Sequence, residues 1–218
     1  MPLLECQSVS RFFGETAVLR QVNWRCEAGQ CLALWGANGA GKSTLLRILA
    51  GALRPSLGTA TVNGAAVGTA AARRQTGFLS HQSLLHPHLT VAENLRFYAV
   101  LHQLPDPDAA VTGALTQVRG EYLAARRVGE LSQGMRQKAA LARALLHQPR
   151  LLLLDEPFAS LDLQTVGDMR ASLLELRRAG LAILLSSHNR QQVEGLLDGE
   201  ATLERGRLSV SSPEVARA

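Results

Sequence analysis

Eight consecutive residues, from Gly36 to Ser43, suggest the most definite chemistry in this chain. They read Gly-Ala-Asn-Gly-Ala-Gly-Lys-Ser and fit the pattern G-x-x-x-x-G-K-[ST] without a mismatch. In such a loop the backbone N–H groups surround phosphate oxygens, Lys42 would reach the β- and γ-phosphates, and Ser43 would hold Mg²⁺ through its hydroxyl. We therefore predict that a nucleotide phosphate tail is bound by Gly36, Ala37, Asn38, Gly39, Ala40, Gly41, Lys42, Ser43 and Thr44.

An acidic pair follows the most apolar run of the chain, which is four consecutive leucines at 151–154. A buried strand that ends in carboxylates places them at the carboxyl edge of a sheet, beside the phosphate loop. Asp155 would then orient Mg²⁺ and its waters, and Glu156 could polarise an attacking water as a general base. Two charges at the end of a strand are common in themselves, so the hypothesis depends on their pairing with the phosphate loop.

The elements that must position these residues alternate between strands and helices. Strands are predicted at 31–35, 76–80, 150–154 and 181–187, with hairpins over 3–27, 59–67 and 200–210. Helices are predicted at 42–51, 90–104, 133–147 and 164–179, and a less regular polar stretch runs from 105 to about 130. The pattern indicates an α/β fold with a mostly parallel sheet, helices on both faces and a small antiparallel part.

Composition indicates one domain over residues 1–218, since 218 residues with 46% hydrophobic content can bury one sizeable core. The net charge of +5 comes from scattered basic residues, and aromatics make up only 4%, so no nucleic acid partner is expected.

The three cysteines fit no zinc spacing and are expected to be reduced core thiols. Three histidines near Pro87 (His81, His86 and His88) could suggest a metal, although a solvated loop is the favoured interpretation.

The chain shows neither a signal peptide at its start nor an apolar run of 18 residues. If the protein works at a membrane, we expect another chain to supply the membrane-spanning part.

Taken together, these residues resemble the ATP-binding subunits of ABC transporters, over roughly residues 3–208. The run from Leu131 to Met135 matches the signature motif of that family, although by itself it is only a serine-capped helix start. Three further matches are the Q-loop glutamine Gln82, the D-loop at 160–162 and the switch histidine His188. Taken alone, Gln82 would usually be a surface amide, and a histidine after a strand, such as His188, is more often structural than catalytic.

The resemblance implies a role for each matching residue. Gln82 would sense Mg²⁺ and the attacking water, and His188 would contact the γ-phosphate. Phe13 would stack on adenine, with Phe12 as a possible substitute. Ser132 and Gly134 of the signature motif would cover a nucleotide held by a second copy of the chain.

The fold implied is a P-loop NTPase cassette of the ABC type with a helical subdomain at about 83–147. Two ATP molecules would lie between two copies arranged head-to-tail, and hydrolysis would drive integral-membrane subunits from the cytoplasmic face of the inner membrane. The partner would dock near residues 83–104, where the candidate contacts are Leu84, Leu85, Phe97 and Tyr98. Ordinary core packing explains that stripe equally well.

Two stretches, Gly77–Gln82 with Leu89–Tyr98 and Asp155–Asp162, look like the ATP-binding subunit of the heme exporter of cytochrome c biogenesis. A cassette of another exporter, for drugs, lipids or polysaccharide, is the main alternative. A soluble ABC ATPase of translation or repair is disfavoured, because the chain carries neither a second cassette nor a long coiled-coil insertion.

Overall fold

A computed structural model describes residues 2–211 of the chain. The strands are β1 (Leu4–Phe13), β2 (Thr16–Cys26), β3 (Cys31–Trp35), β4 (Leu57–Val62), β5 (Ala65–Ala66), β6 (Thr76–Leu79), β7 (Leu151–Asp155), β8 (Ala182–Ser186), β9 (Gly199–Glu204) and β10 (Arg207–Ser211). The helices are α1 (Lys42–Leu49), α2 (Ala70–Arg73), α3 (Val91–Leu101), α4 (Pro107–Gln117), α5 (Gln133–Leu145) and α6 (Leu163–Arg178). Short 3₁₀ turns lie at Glu121–Leu123, Val128–Glu130 and Arg190–Val193.

The main sheet has six strands in the order β10-β9-β3-β8-β7-β6, and all neighbours are parallel except the β10–β9 pair. Every residue of β3, β7 and β8 is buried, as expected for strands covered on both faces. Their side chains alternate between two apolar clusters, one packed with α3–α6 and the other with α1 and the smaller sheet. The predicted α/β fold with a mostly parallel sheet is confirmed.

A second sheet, in the order β2-β1-β4-β5, is antiparallel. Its two hairpins turn at Gly14 and at Asn63-Gly64, where the backbone has positive φ and a glycine is the natural residue. The predicted hairpins are therefore present. Through Leu4, Val9 and Leu19, the sheet covers one face of the apolar cluster that contains α1.

Helices α3, α4 and α5 pack on one another at one side of the main sheet. Helix α3 begins with the predicted capping box, in which the Thr90 hydroxyl accepts from the Glu93 backbone N–H at 3.2 Å and the Glu93 carboxylate accepts from the Thr90 N–H at 2.8 Å. That helix ends at Leu101, three residues before the predicted end. The single domain and the helical subdomain at 83–147 stay predictions.

Helix α4 corrects the prediction of an irregular stretch from 105 to about 130. The carboxylate of Asp106 caps the helix by accepting from the Ala109 N–H at 3.0 Å, and Pro107 occupies the first turn. Proline at that position starts a helix as readily as it ends one. The short helix α2 was not predicted either.

The three cysteines, Cys6, Cys26 and Cys31, are buried and unpaired, as expected. Burial raises the pKa of each thiol to about 12, which makes them inert core residues.

Candidate nucleotide-binding site

The phosphate loop connects β3 to the N-terminus of α1 and is tightly packed on its outer side. Gly36 has φ 150°, and a Cβ there would lie 2.5 Å from the backbone oxygen of Leu203 in β9. Gly41 has φ 105°, and a Cβ there would lie 3.1 Å from the backbone oxygen of Val18 in β2. Glycine is needed at both positions, and the two close contacts hold the loop between the hairpins.

Lys42 is only 7% exposed, and its ammonium points back along the loop. It donates to the backbone oxygen of Gly36 at 2.8 Å and lies 3.7 Å from a carboxylate oxygen of Glu156. The cleft above it measures about 390 Å³, a size suited to a small ligand. Its lining consists of Val18, Ala37, Asn38, Gly39, Gly41, Lys42, Ser43, Thr44 and Glu156.

The acidic pair lies at the carboxyl edge of the sheet, one strand away from the phosphate loop because β8 lies between β3 and β7. Asp155 is 1% exposed, and its Oδ1 accepts from the Ser186 hydroxyl at 2.9 Å. The other oxygen, Oδ2, is buried and has no hydrogen-bond partner among residues 2–211. A buried carboxylate oxygen without a protein partner fits a hydrated cation as its missing partner.

Glu156 stands in a left-handed backbone conformation with φ 52°, and its N–H donates to the Ser186 hydroxyl at 2.9 Å. Non-glycine residues adopt this conformation mostly where the surroundings enforce it. Its carboxylate lies 2.9 Å from the Nδ1 of His188, whose ring is exposed. Glu156 thus lies between the other two groups, with Lys42 near one carboxylate oxygen and His188 near the other.

The structure places Gln82 at the same edge of the sheet, three residues beyond β6, with an exposed side chain. Its backbone oxygen accepts from the Ser80 hydroxyl at 2.6 Å. Among the described residues, no hydrogen bond joins the Gln82 amide to Lys42 or Glu156. Its predicted role therefore stays a prediction.

Phe13 ends β1, next to the hairpin turn, and is 48% exposed. The guanidinium carbon of Arg11 lies 4.5 Å from its ring centroid, so a cation already stacks on this ring. Phe12 is exposed as well. Either ring is accessible to a base, and the choice of Phe13 stays a prediction.

The predicted signature residues lie away from the cleft of their own chain. Ser132 caps α5, because its hydroxyl accepts from the Met135 N–H at 3.3 Å. Gly134 packs against α6, where a Cβ would lie 2.7 Å from the Thr165 methyl group. Neither residue lines the cleft above Lys42.

The segment matching the D-loop, residues 160–162, leads directly into α6. Ser160 has φ 58°, and the Asp162 carboxylate caps α6 by accepting from the Thr165 N–H at 2.9 Å. Hydrogen bonds from Thr165 lower the pKa of Asp162. This carboxylate is a helix cap, and sequence reasoning had not assigned it that role.

The predicted docking stripe is corrected in part. Leu84 and Phe97 are exposed, whereas Leu85 is only 9% exposed and belongs to the core. Tyr98 is half-buried, and its hydroxyl donates to the Leu84 oxygen at 2.6 Å. Asn94 is buried, and its side-chain amide fixes the preceding loop. The amide oxygen accepts from the His86 backbone N–H at 2.7 Å, and the amide nitrogen donates to the His86 backbone oxygen at 3.0 Å.

Within residues 2–211, no cluster of three His, Cys, Asp or Glu side chains could hold a metal ion, a result that includes the histidines around Pro87. In the same part of the chain, no helix has the length and apolar character needed to cross a membrane.

Ser186 is the site residue that sequence reasoning missed. It links Asp155 to the Glu156 backbone across two adjacent strands and is fully buried. A serine that ends a run of buried apolar residues was the only signal in the sequence.

Comparison with known proteins yields one matching family model, described as ABC transporter, over residues 19–159. Two curated relatives are spermidine/putrescine import ATP-binding proteins PotA, from Legionella pneumophila (strain Lens) and Lawsonia intracellularis (strain PHE/MN1-00). Both are 33% identical to this chain, the first over 95% and the second over 97% of its length. The chain spans 58% and 59% of the length of these relatives.

Solved structures agree on the fold. An ATP-binding subunit of an ABC transporter is 30% identical with a TM-score of 0.86, covering 97% of this chain and 90% of its own. CbiO1 from Clostridium perfringens, part of the ABC transporter complex CbiONQ, is 27% identical with a TM-score of 0.85, covering 95% and 87%. The cassette MJ0796 bound to ADP and Pi is 23% identical with a TM-score of 0.86, covering 96% and 98%.

Proposed function

The chain belongs to the ABC transporter family, and on that basis we propose that it binds Mg²⁺-ATP and hydrolyses it to power a separate membrane-embedded partner. The observation that carries this proposal is that Glu156, which lines the phosphate-loop cleft, has Lys42 near one carboxylate oxygen and His188 near the other. A cation for the phosphates, a base for water and a histidine beside that base are the parts that phosphoryl transfer needs.

Binding would use the N–H groups of the phosphate loop and the positive end of α1, since both attract phosphate oxygens. Lys42, already held at the loop, would turn to the β- and γ-phosphates. Ser43, Gln82 and Asp155 would hold Mg²⁺. The Asp155 oxygen available for this is the buried Oδ2, which has no hydrogen-bond partner among the described residues. Bound Mg²⁺ supplies charge neutralisation at the phosphate oxygens. Phe13 would stack on the adenine ring.

Hydrolysis would proceed by attack of one water on the γ-phosphorus. Glu156 accepts the proton of that water while the new P–O bond forms and the bond to the β–γ bridging oxygen breaks, which releases ADP and phosphate. Lys42 and His188 stabilise the charge that develops on the phosphoryl oxygens. The strained backbone of Glu156, anchored on Ser186, fixes the base in place before ATP arrives.

The active form we propose is a head-to-tail dimer. Ser132 and Gly134 sit at the start of α5 and do not line their own cleft. The N-terminus of a capped helix attracts anions, so the same element of a second copy would cover the γ-phosphate. MJ0796, which shares the fold, is described as a dimer in its post-hydrolysis state.

The partner we propose is an integral-membrane subunit, with this chain peripheral on the cytoplasmic face of the inner membrane. The exposed Leu84 and Phe97 would contact it, and Val100 and Leu101 extend the same apolar surface along α3. These four side chains are too exposed to be explained as core.

Heme export in cytochrome c biogenesis is the cargo proposal that the sequence stretches suggest. Three of the residues in those stretches have structural roles, because Glu93 caps α3, Asn94 fixes the loop and Tyr98 binds the Leu84 backbone. The relatives named for spermidine/putrescine import make polyamine import the second candidate. Export of drugs, lipids or polysaccharide is a third possibility.

The cargo is tested by purifying the tagged chain from its native membranes with its membrane subunit and measuring ATP turnover in liposomes. Stimulation by heme and not by spermidine supports heme export, and the reverse result supports polyamine import. Stimulation by neither one contradicts both.

The ATPase proposal is tested with Glu156→Gln and with the exposed residue change Glu121→Gln as matched control. Loss of the base should lower turnover by about 100-fold or more while ATP binding persists. Size-exclusion chromatography with ATP should show a dimer for Glu156→Gln. Lys42→Ala should lose nucleotide affinity. Wild-type turnover in Glu156→Gln would remove Glu156 from the base role.

A further inference from the structure

Three side chains outside the proposed chemistry connect the phosphate loop to the segment that carries His188. Trp35 is the last residue of β3, directly before Gly36, and its indole N–H donates to the Glu200 carboxylate at 2.8 Å. Arg190 donates to the same Glu200 oxygen at 2.6 Å, and its guanidinium carbon lies 4.7 Å from the Trp35 ring centroid. The three groups form one closed cluster, which we call the Trp35 clamp.

The turn between His188 and Arg190 is short and internally hydrogen-bonded. The Ser187 hydroxyl accepts from the Asn189 N–H at 3.1 Å, and the Asn189 side chain accepts from the Gln191 N–H at 3.0 Å. The second bond caps the 3₁₀ turn that begins at Arg190. With only one residue between them, a shift of Arg190 is passed to His188.

Electrostatics favour the clamp in its ionised form. Hydrogen bonding to Arg190 lowers the pKa of the Glu200 carboxyl, and the Trp35 N–H lowers it further. The Arg190 side chain is exposed, however, and exposed ion pairs contribute little to the stability of a fold. Loss of the pair should therefore leave the chain folded and change mainly the local geometry.

We propose that Arg190 is a positioning residue for ATP hydrolysis, which it serves by stacking on Trp35 and pairing with Glu200 so that His188 is held beside Glu156. The inference rests on the proposed function. His188 lies 2.9 Å from the Glu156 carboxylate, so a displaced turn would move the histidine away from the base and the γ-phosphate. Binding of the phosphates depends on the loop amides and on Lys42. Arg190 contacts Glu200 and Trp35 in the clamp and does not contact those phosphate-binding groups.

The test compares steady-state ATPase kinetics of Arg190→Gln and Glu200→Gln with wild type. Since small misplacements of catalytic groups reduce turnover steeply, we expect kcat to fall by about tenfold with KM for ATP within about twofold. Arg190→Lys, which keeps the charge and loses the planar stack, should recover part of kcat. Arg25→Gln is the matched control, because Arg25 forms an exposed ion pair with Glu5 at 2.8 Å in the antiparallel sheet.

Tryptophan fluorescence supplies a readout that is independent of turnover. In a Trp24→Phe background, Trp35 is the only tryptophan, and ATP titration then reports binding at the phosphate loop. Removal of the stacked guanidinium should change the emission of Trp35 without changing the titration midpoint by more than about twofold.

The outcomes separate the two proposals. Wild-type kcat in both Arg190→Gln and Glu200→Gln, or a rise in KM without a fall in kcat, overturns the positioning role and leaves the ATPase function intact. If the wild-type chain shows no turnover and Trp24→Phe shows no Trp35 response to Mg²⁺-ATP, the proposed function fails and the clamp proposal with it. If Arg190→Gln does not fold, the kinetics of Glu200→Gln decide the question, because this variant differs from wild type only by an amide in place of the carboxylate.

Discussion

Ser186→Ala is the perturbation whose effect can be worked out most directly from the structure. The Ser186 hydroxyl donates to Asp155 Oδ1 at 2.9 Å and accepts from the Glu156 N–H at 2.9 Å. The side chain is fully buried, so water cannot easily replace it. Alanine would leave one carboxylate oxygen and one backbone N–H without these partners.

Each buried polar group left without a partner costs about 1–3 kcal/mol, so two of them imply a loss of about 2–6 kcal/mol in the free energy of unfolding. We take a loss of about 3 kcal/mol, in the lower half of this range. For a chain of this size each kcal/mol corresponds to about 2–4 °C, which gives a fall in Tm of about 6–12 °C. Turnover should fall as well, because Glu156 loses the anchor that holds its positive φ.

Thermal and urea unfolding, monitored by circular dichroism, measure the loss, and Ser172→Ala serves as control. Ser172 is also buried, but its hydroxyl donates only to the Asp168 oxygen within its own helix, at 3.2 Å. Its removal should cost less than about 1 kcal/mol, since the helix carbonyl keeps its backbone bond. If the Tm values of the two variants differ by less than about 2 °C, the bridging role assigned to Ser186 is refuted.

Two further predictions concern packing and pH. Gly134→Ala should destabilise the chain by about 1–3 kcal/mol, because the new Cβ would lie 2.7 Å from the Thr165 methyl group. Thr165→Ser in the same chain removes that methyl group but keeps the hydroxyl, 3.0 Å from the new Cβ, so it should recover part of the lost stability in urea. Burial lowers the pKa of His147 to about 4. As the pH drops, the unfolded chain therefore takes up a proton at this histidine before the folded chain does. The free energy of unfolding should fall between about pH 6.5 and about pH 4, by at most about 3 kcal/mol. His147→Asn should lose correspondingly less stability between pH 7 and pH 4.5 in urea titrations, and an equal loss in both proteins contradicts the assignment.

The parts of the structure predicted correctly are those determined by short stretches of sequence. The strand–loop–helix arrangement around residues 36–43, the buried strands and the α3 capping box each follow from a few neighbouring residues. Helix α4 was missed because prolines at 105 and 107 are typical of a helix end, although an acidic cap followed by proline also starts a helix.

Other features depend on residues far apart in the chain. Trp35 and Glu200 are separated by 165 positions, and Ser186 is 31 positions from Asp155. Leu85 looked like a surface residue in a polar loop, and only the packing of α3–α5 explains its burial. No local pattern encodes these contacts, because they arise when the sheet brings strand ends together.

The contacts of α5 bear on how two copies could act as one unit. Gln137 donates to the Pro157 oxygen at 3.0 Å, and Gln133 donates to the Ala159 oxygen at 3.4 Å, so the start of α5 is hydrogen-bonded to the segment that follows Glu156. Gly134 packs on α6 directly behind that segment. In the proposed dimer, a chain that lays its α5 N-terminus on the nucleotide of its partner would therefore transmit the contact to its own base through packed atoms. In that arrangement, coupling between the two sites would need no flexible loop, because the start of α5 is hydrogen-bonded to the backbone just after Glu156 of the same chain.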